Sequence, residues 1–245
     1  MKRIIIICFT LMLVVTGGCS INDKQNSKDD NNTEAVKPID MDPKDLPKVP
    51  AFQDKVTREY MASTKEVEPE YYLLESKLKG FTMLFPENSV NIPKFTNNDG
   101  EDFESIGFES NNPKTNILFY GTVRYYHKES FLENSETMLD KIRGQNGGYK
   151  GDFKKEIIEG REIYFAHEKD TFDDLKRKYN YSYSYFGFVK STEEDALGIQ
   201  YDFTFGCFKD DQPCSLNEKE ARKKVIKIIH SITFNKDKKE QKNGK

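Results

Sequence analysis

The chain has 245 residues, 38 basic against 41 acidic, for a formal net charge of −3. That balance offers no basic excess for nucleic acid, and the length suits one domain of ordinary size with tails. The only long uncharged apolar run is residues 4–15, too short to span a bilayer as a mature helix.

The first twenty residues read MKRIIIICFTLMLVVTGGCS. Lys2 and Arg3 form a positive n-region, and Ile4 to Val15 form the apolar h-region of a signal peptide. Thr16-Gly17-Gly18-Cys19 then resembles the lipobox of bacterial lipoproteins. The resemblance implies cleavage after Gly18, a signal peptide of residues 1–18, and diacylglycerol on the Cys19 sulfur. Loss of that segment removes Lys2 and Arg3 and leaves 227 residues with a formal charge of −5. Attachment to the membrane then rests on acyl chains. Each buried methylene contributes about 0.8 kcal/mol, so one chain anchors marginally and two hold firmly.

Residues 19–65 are expected to hold the lipidated N-terminus, a disordered tether and a short helix. From Ser20 to Pro50 the composition is Asn, Asp, Lys, Ser and Pro, with too little apolar surface to offset ordering entropy. Phe52, Val56 and Tyr60 recur at every fourth position and predict a helix over 52–62. The globular domain is expected over 66–235. Strands are predicted at 71–76, 80–85, 105–109, 116–126, 150–158, 161–167, 179–189 and 197–208. Phe131, Leu132, Met138, Leu139 and Ile142 predict a helix over 131–142, ended by Gly144. Ser215 is placed as the N-cap of a last helix, 216–229, with Glu218 completing a capping box. Ile232 to Phe234 closes the domain as a short strand, and 236–245 is read as a frayed basic tail. The expected class is α+β: mainly antiparallel strands with two or three packed helices.

Gly80-Phe81-Thr82-Met83-Leu84-Phe85-Pro86, the hairpin around Glu159-Gly160, and the closing helix into Ser231-Ile232-Thr233-Phe234 resemble the PsbP and Mog1-like fold. The whole chain, lipobox and Tyr-rich strand included, also resembles Bacillus lipoproteins of the YvcA type. That likeness implies a lipid-anchored place on the outer face of a Gram-positive cell membrane, and it carries no catalytic residues.

With Cys8 in the signal peptide and Cys19 lipidated, Cys207 and Cys214 remain. Two thiols seven residues apart in an exported chain most simply form a disulfide across the turn-forming span between them. No His or further Cys lies nearby for a metal, and the spacing is not C-x-x-C. The histidines His127, His167 and His230 fall on separate elements, so no triad or metal centre is expected. Gly144 to Gly151 is Gly-rich, but it follows a helix and precedes a strand. That is the reverse of a phosphate cradle, so it reads as a flexible connection. Asn97 to Asp102 offers oxygens without the EF-hand pattern and reads as a solvated loop.

The unusual stretch is Tyr179-Asn180-Tyr181-Ser182-Tyr183-Ser184-Tyr185. Period two sends Tyr179, Tyr181, Tyr183 and Tyr185 to one face and the serines to the other. Two readings stand: the tyrosines lie beneath a helix with the serines in solvent, or they form an exposed ladder that binds glycan or a protein strand. The functional expectation is a non-enzymatic, lipid-anchored binding or scaffolding module of the cell envelope, without cofactor or metal. A small-ligand receptor or accessory enzyme acting on cell-wall material is the alternative. The expected partners are the membrane, through the lipid, and an envelope protein or cell-wall glycan.

Overall fold

The computed structural model describes residues 36–172 and 178–235. The expected signal peptide, Cys19, the tether up to residue 35 and the 236–245 tail lie outside the described residues. Among those described, no helix is long and apolar enough to cross a membrane.

In chain order, two one-turn helices, α1 (Pro50–Gln53) and α2 (Lys55–Arg58), precede β1 (Met61–Glu68), β2 (Tyr71–Glu75) and β3 (Phe81–Pro86). Short strands β4 (Val90–Asn91) and β5 (Asn97–Asp99) lead to the long strands β6 (Phe103–Asn112) and β7 (Ile117–His127). Helix α3 (Ser135–Gln145) is followed by β8 (Lys154–Ile158), β9 (Arg161–Thr171), β10 (Tyr181–Ser191) and β11 (Leu197–Cys207). Helix α4 (Glu218–Ser231) and β12 (Thr233–Phe234) close the domain.

The strands form two antiparallel sheets. A smaller one has the order β1-β2-β3-β12; the larger runs β4-β6-β7-β11-β10-β9-β8, with β5 on the flank of β6. The α+β expectation holds. Its physical basis is alternation: Phe203 and Phe205 of β11, Val123 of β7 and Tyr185 of β10 all turn to one face, and the residues between them turn to the other. The inner face packs on the small sheet and on α4, whose Ala221, Val225, Ile228 and Ile229 join the same core as Phe81, Met83 and Phe85. Part of the outer face is covered by α3, where Met138, Leu139 and Ile142 meet Tyr164, Phe186 and Phe188.

Several boundaries differ from expectation. The helix over 52–62 is two single turns and then a strand. Asp54 breaks it, accepting the Thr57 N–H at 2.7 Å as the cap of α2. Strand β1 then begins before residue 66, so the expected domain boundary falls inside an element. Residues 36–50 are not a loose tether either: they make two 3-10 turns, bury Pro38, and seat Leu46 in the core at 3% exposure. Polar composition concealed this, because a few anchors among many charges are enough to hold an extended segment. Helix α3 starts at Ser135 behind an Asn134 cap and runs through Gly144. Helix α4 is capped by Asn217, which accepts the Glu220 N–H, whereas Ser215 donates to the Thr115 carbonyl.

The tightest close approach of backbone to a glycine is at Gly187. A Cβ on Gly187 would run into the Tyr164 carbonyl and lie 2.6 Å from the Tyr201 hydroxyl, which itself donates to that carbonyl at 2.8 Å.

Leu46→Ala is expected to lower stability by about 2–4 kcal/mol in denaturant unfolding, the cost of a buried leucine. Val36→Ala, at a side chain 66% exposed, should change it by less than about 0.5 kcal/mol. Equal, small effects would show that the 36–50 segment does not belong to the cooperative unit.

Candidate functional site

The tyrosine alternation divides between the two readings. Tyr185 is 1% exposed, stacked on His167, tilted against Phe165 and edge-on to Phe205, with its hydroxyl donating to the Glu218 carbonyl of α4 at 3.0 Å. Burial holds that hydroxyl protonated far above the ordinary tyrosine range. Tyr183 packs partly against the same core, and Tyr181 sits edge-on to it at 5.7 Å beyond the helix start, with Lys169 over both rings. Tyr179 lies ahead of the strand, where its hydroxyl accepts the Cys214 N–H at 2.9 Å. The serine face is not simply solvent. Ser182 is buried, and Ser184 donates to Asp170 at 2.7 Å.

Cys207 and Cys214 are joined in a disulfide with a Cα separation of 5.9 Å. The loop it closes is also clamped by Asn116, a buried residue at φ 56° between β6 and β7. The Asn116 amide donates to the carbonyls of Lys209 and Gln212 and accepts the Lys209 N–H at 2.8 Å. Asparagine tolerates this left-handed conformation better than most side chains, so one residue serves both the turn and the loop. This clamp places the half-exposed ring of Phe208 at the end of the sheet.

The histidines stay apart: His127 pairs with Asp102, His167 with Glu218 and His230 with Glu156. Among the described residues no three metal-ligating side chains converge. Of the 97–102 segment, expected as a solvated loop, Asn97–Asp99 instead pairs with β6 as β5.

The structure brings together a set of residues that sequence spacing did not single out. On the outer face, beyond α3, Arg124 of β7 and Asp202 of β11 form a 3.0 Å ion pair. Gln200 donates to Asp202 at 3.2 Å and to Gln145 of α3 at 2.6 Å, and Asn146 reaches Asp202 at 3.4 Å. Desolvation raises the Asp202 carboxyl above its ordinary range, against the lowering effect of Arg124, Asn146 and Gln200. Two clefts flank this centre. One, of about 730 Å³, lies between the Gly147-Gly148 turn and Glu168, Asp170 and Ser184. The other, of about 230 Å³, lies at the disulfide end, lined by Tyr120, Phe172, Tyr179, Thr204, Gly206 and Phe208. Phe95 abuts Tyr120 edge-on at 5.7 Å and extends the aromatic strip across the sheet.

A third cleft, of about 280 Å³, lies beside α4 over Phe205, lined by Lys223, Lys224 and Lys227 and by Glu70 and Glu220. Burial lowers the Lys224 ammonium and Glu70 partly restores it. Acidic side chains offset the lysines there.

Two outcomes are expected. Native protein should take up no alkylating agent at Cys207 or Cys214 until reduced, as read by mass spectrometry; native labelling would remove the disulfide. Because the folded Asp202 titrates above its unfolded value, its contribution to stability is full at low pH and is lost as pH rises through the folded value. Arg124→Met removes two influences that hold it down. Relative to the native chain, this variant should therefore lose stability progressively as pH rises through the carboxylate range, as read from melting temperature against pH. A pH-independent difference would contradict the pairing.

Residues 47–233 match the family described as "Putative lipoprotein YvcA", whose model also carries the Mog1p name. The "Putative lipoprotein YvcA" of Bacillus subtilis (strain 168) is 61% identical over 242 residues, covering 98% of this chain and all of that protein. No solved structure matches. By full-length identity and by family match, the chain belongs to the YvcA lipoprotein family.

Proposed function

We propose that this chain is a lipid-anchored, non-catalytic binding module on the extracytoplasmic face of the cell membrane, and that the outer face of its larger sheet is the working surface. The anchor rests on the Gly17-Gly18-Cys19 pattern and on the lipoprotein name of its relative. The observation that carries the binding role is the outer face beyond α3. The inner face is consumed by packing on α4 and the small sheet. The outer face, in contrast, presents two clefts around the Arg124–Asp202 pair. Concave clefts lined by aromatic side chains with a few convergent polar groups are the default ground for recognition.

The anchor also sets a range. Only residues 20–35 separate Cys19 from the first described residue, and a chain of that length spans at most about 60 Å. The packing of residues 36–50 therefore shortens the expected tether by about half. The lysine-lined cleft beside α4 favours a small-ligand receptor as a second reading, since its apolar floor and charged rim resemble a pocket for a small molecule.

Cys19→Ala is expected to abolish incorporation of labelled fatty acid and to shift the protein from the membrane fraction to an unprocessed or released form. Unchanged fractionation together with the native mass would overturn the anchor. For the binding role, cross-linking from the outer face in intact cells should yield adducts that cross-linking from the α4 cleft does not. Adducts confined to the α4 cleft would favour the receptor instead.

A further inference from the structure

We propose that the outer face takes a hydroxyl-rich, uncharged glycan strand, with one sugar ring in the aromatic cleft at the disulfide end and the next toward Ser184 and Asp202. This rests on the outer face being the working surface, and it names the ligand class.

The chemistry of a sugar ring is two-sided: its C–H faces are apolar and its edge carries hydroxyls that both donate and accept. The disulfide-end cleft supplies the apolar partner. Phe172 and Phe208 are 43% and 47% exposed there, and Tyr120 is held half-buried beside Phe95. Aromatic side chains left this exposed on a sheet surface provide contact area with little entropy to lose. The middle of the face supplies the polar partner. Asp202, Arg124 and Asn146 are planar groups already oriented by one another, and Ser184 and Asp170 offer a hydroxyl and a carboxylate in the adjoining cleft. Planar side chains of this kind meet two hydroxyls at once, as a carboxylate or guanidinium does in any bidentate contact.

Spacing connects the two clefts. Ser182 lines one and Ser184 the other, on the same face of β10 and two residues apart, about 7 Å along the strand. Adjacent rings of a linear glycan can therefore occupy both without a change of direction.

Charge decides between a neutral glycan and an anionic polymer. Arg124 is already neutralised by Asp202, and the remaining charges on this face are mixed: Glu109, Glu168 and Asp170 stand with Lys150 beside the turn cleft, while Lys178, Lys209 and Lys94 lie over the rings of Tyr179, Phe208 and Phe95. A face of mixed sign offers a polyanion no continuous positive track, and a neutral chain needs none.

Gly206 completes the case. It lines the aromatic cleft, and the nearest atom a Cβ would meet is the Ser182 Cβ at 4.0 Å. Packing does not require a glycine there. The missing side chain leaves the cleft floor bare, as where a ligand approaches a strand closely.

The test uses the full lipidated protein in detergent micelles, with three probes: a soluble β-linked N-acetylated amino-sugar tetramer, the same N-acetylated polymer in insoluble form, and an isolated phosphate-bearing wall polymer. The expected result is binding to the first two and not to the third. Gly206→Val fills the floor without touching the core and should lower glycan affinity at least tenfold at unchanged melting temperature. Phe208→Ala should lower it several-fold, and Lys227→Ala beside α4 should leave it unchanged. Absence of binding to either glycan, or equal binding by native protein and Gly206→Val, would overturn the proposal, as would preference for the anionic polymer. A photo-crosslinker at Thr204 in intact cells separates the two levels. Adducts to protein alone would sink the glycan assignment while keeping the outer face as the working surface; no adduct at all would sink both.

Discussion

The larger sheet has to bury one face completely, and most of the structure follows from how it does so. Phe119, Val123, Tyr201, Phe203 and Phe205 project from β7 and β11 into a core shared with Phe81, Met83 and Phe85 of the small sheet. Helix α4 enters that layer with Val225, Ile228 and Ile229, each without exposed surface. The helix is tied down at both ends. Tyr185 donates to the first-turn carbonyl of Glu218, and the buried guanidinium of Arg161 donates to the carbonyl of His230 in the last turn and to that of Ile232, which caps it. A cation at a helix C-terminus meets the unpaired carbonyls and the negative end of the dipole together.

With the inner face committed, the outer face becomes the place where the molecule has latitude. Helix α3 covers one part of it through Phe186, Phe188 and Tyr164. Tyr149 and Phe153 then pack on Phe186, so the Gly147-Gly148 turn is held by aromatic contacts on its far side. Gly107 plays a comparable part at the other margin: a Cβ there would lie 2.5 Å from the Phe95 Cβ, so its absence lets Phe95 rest on the strand. The disulfide loop, clamped by Asn116, supplies the remaining wall. The uncovered strip is thus bordered on three sides by elements fixed by their own packing.

Much of the architecture was legible in local pattern. The long strands and the two longer helices fall close to their expected places because period-two and period-3.6 signals are strong over ten residues or more. Short elements were less so. A recurrence at every fourth position over Phe52, Val56 and Tyr60 looked helical, yet the Asp54 side chain caps a second turn and the chain becomes β1. Residues 36–50 looked unstructured because composition averages over the segment, whereas its seating depends on Pro38 and Leu46 finding places prepared by other elements.

By itself the sequence determined the address pattern at Gly17-Gly18-Cys19, the α+β class and the pairing of the two remaining cysteines, because each depends on residues near one another in the chain. Only the tertiary structure decided that Tyr185 belongs to the core while Tyr179 and Tyr181 border a cleft. It alone joined Arg124 to Asp202, 78 residues away, with Asn146 beside them. Which helix covers which stretch of a strand, and which strands become neighbours, are outcomes of packing and register. Local alternation carries no information about either.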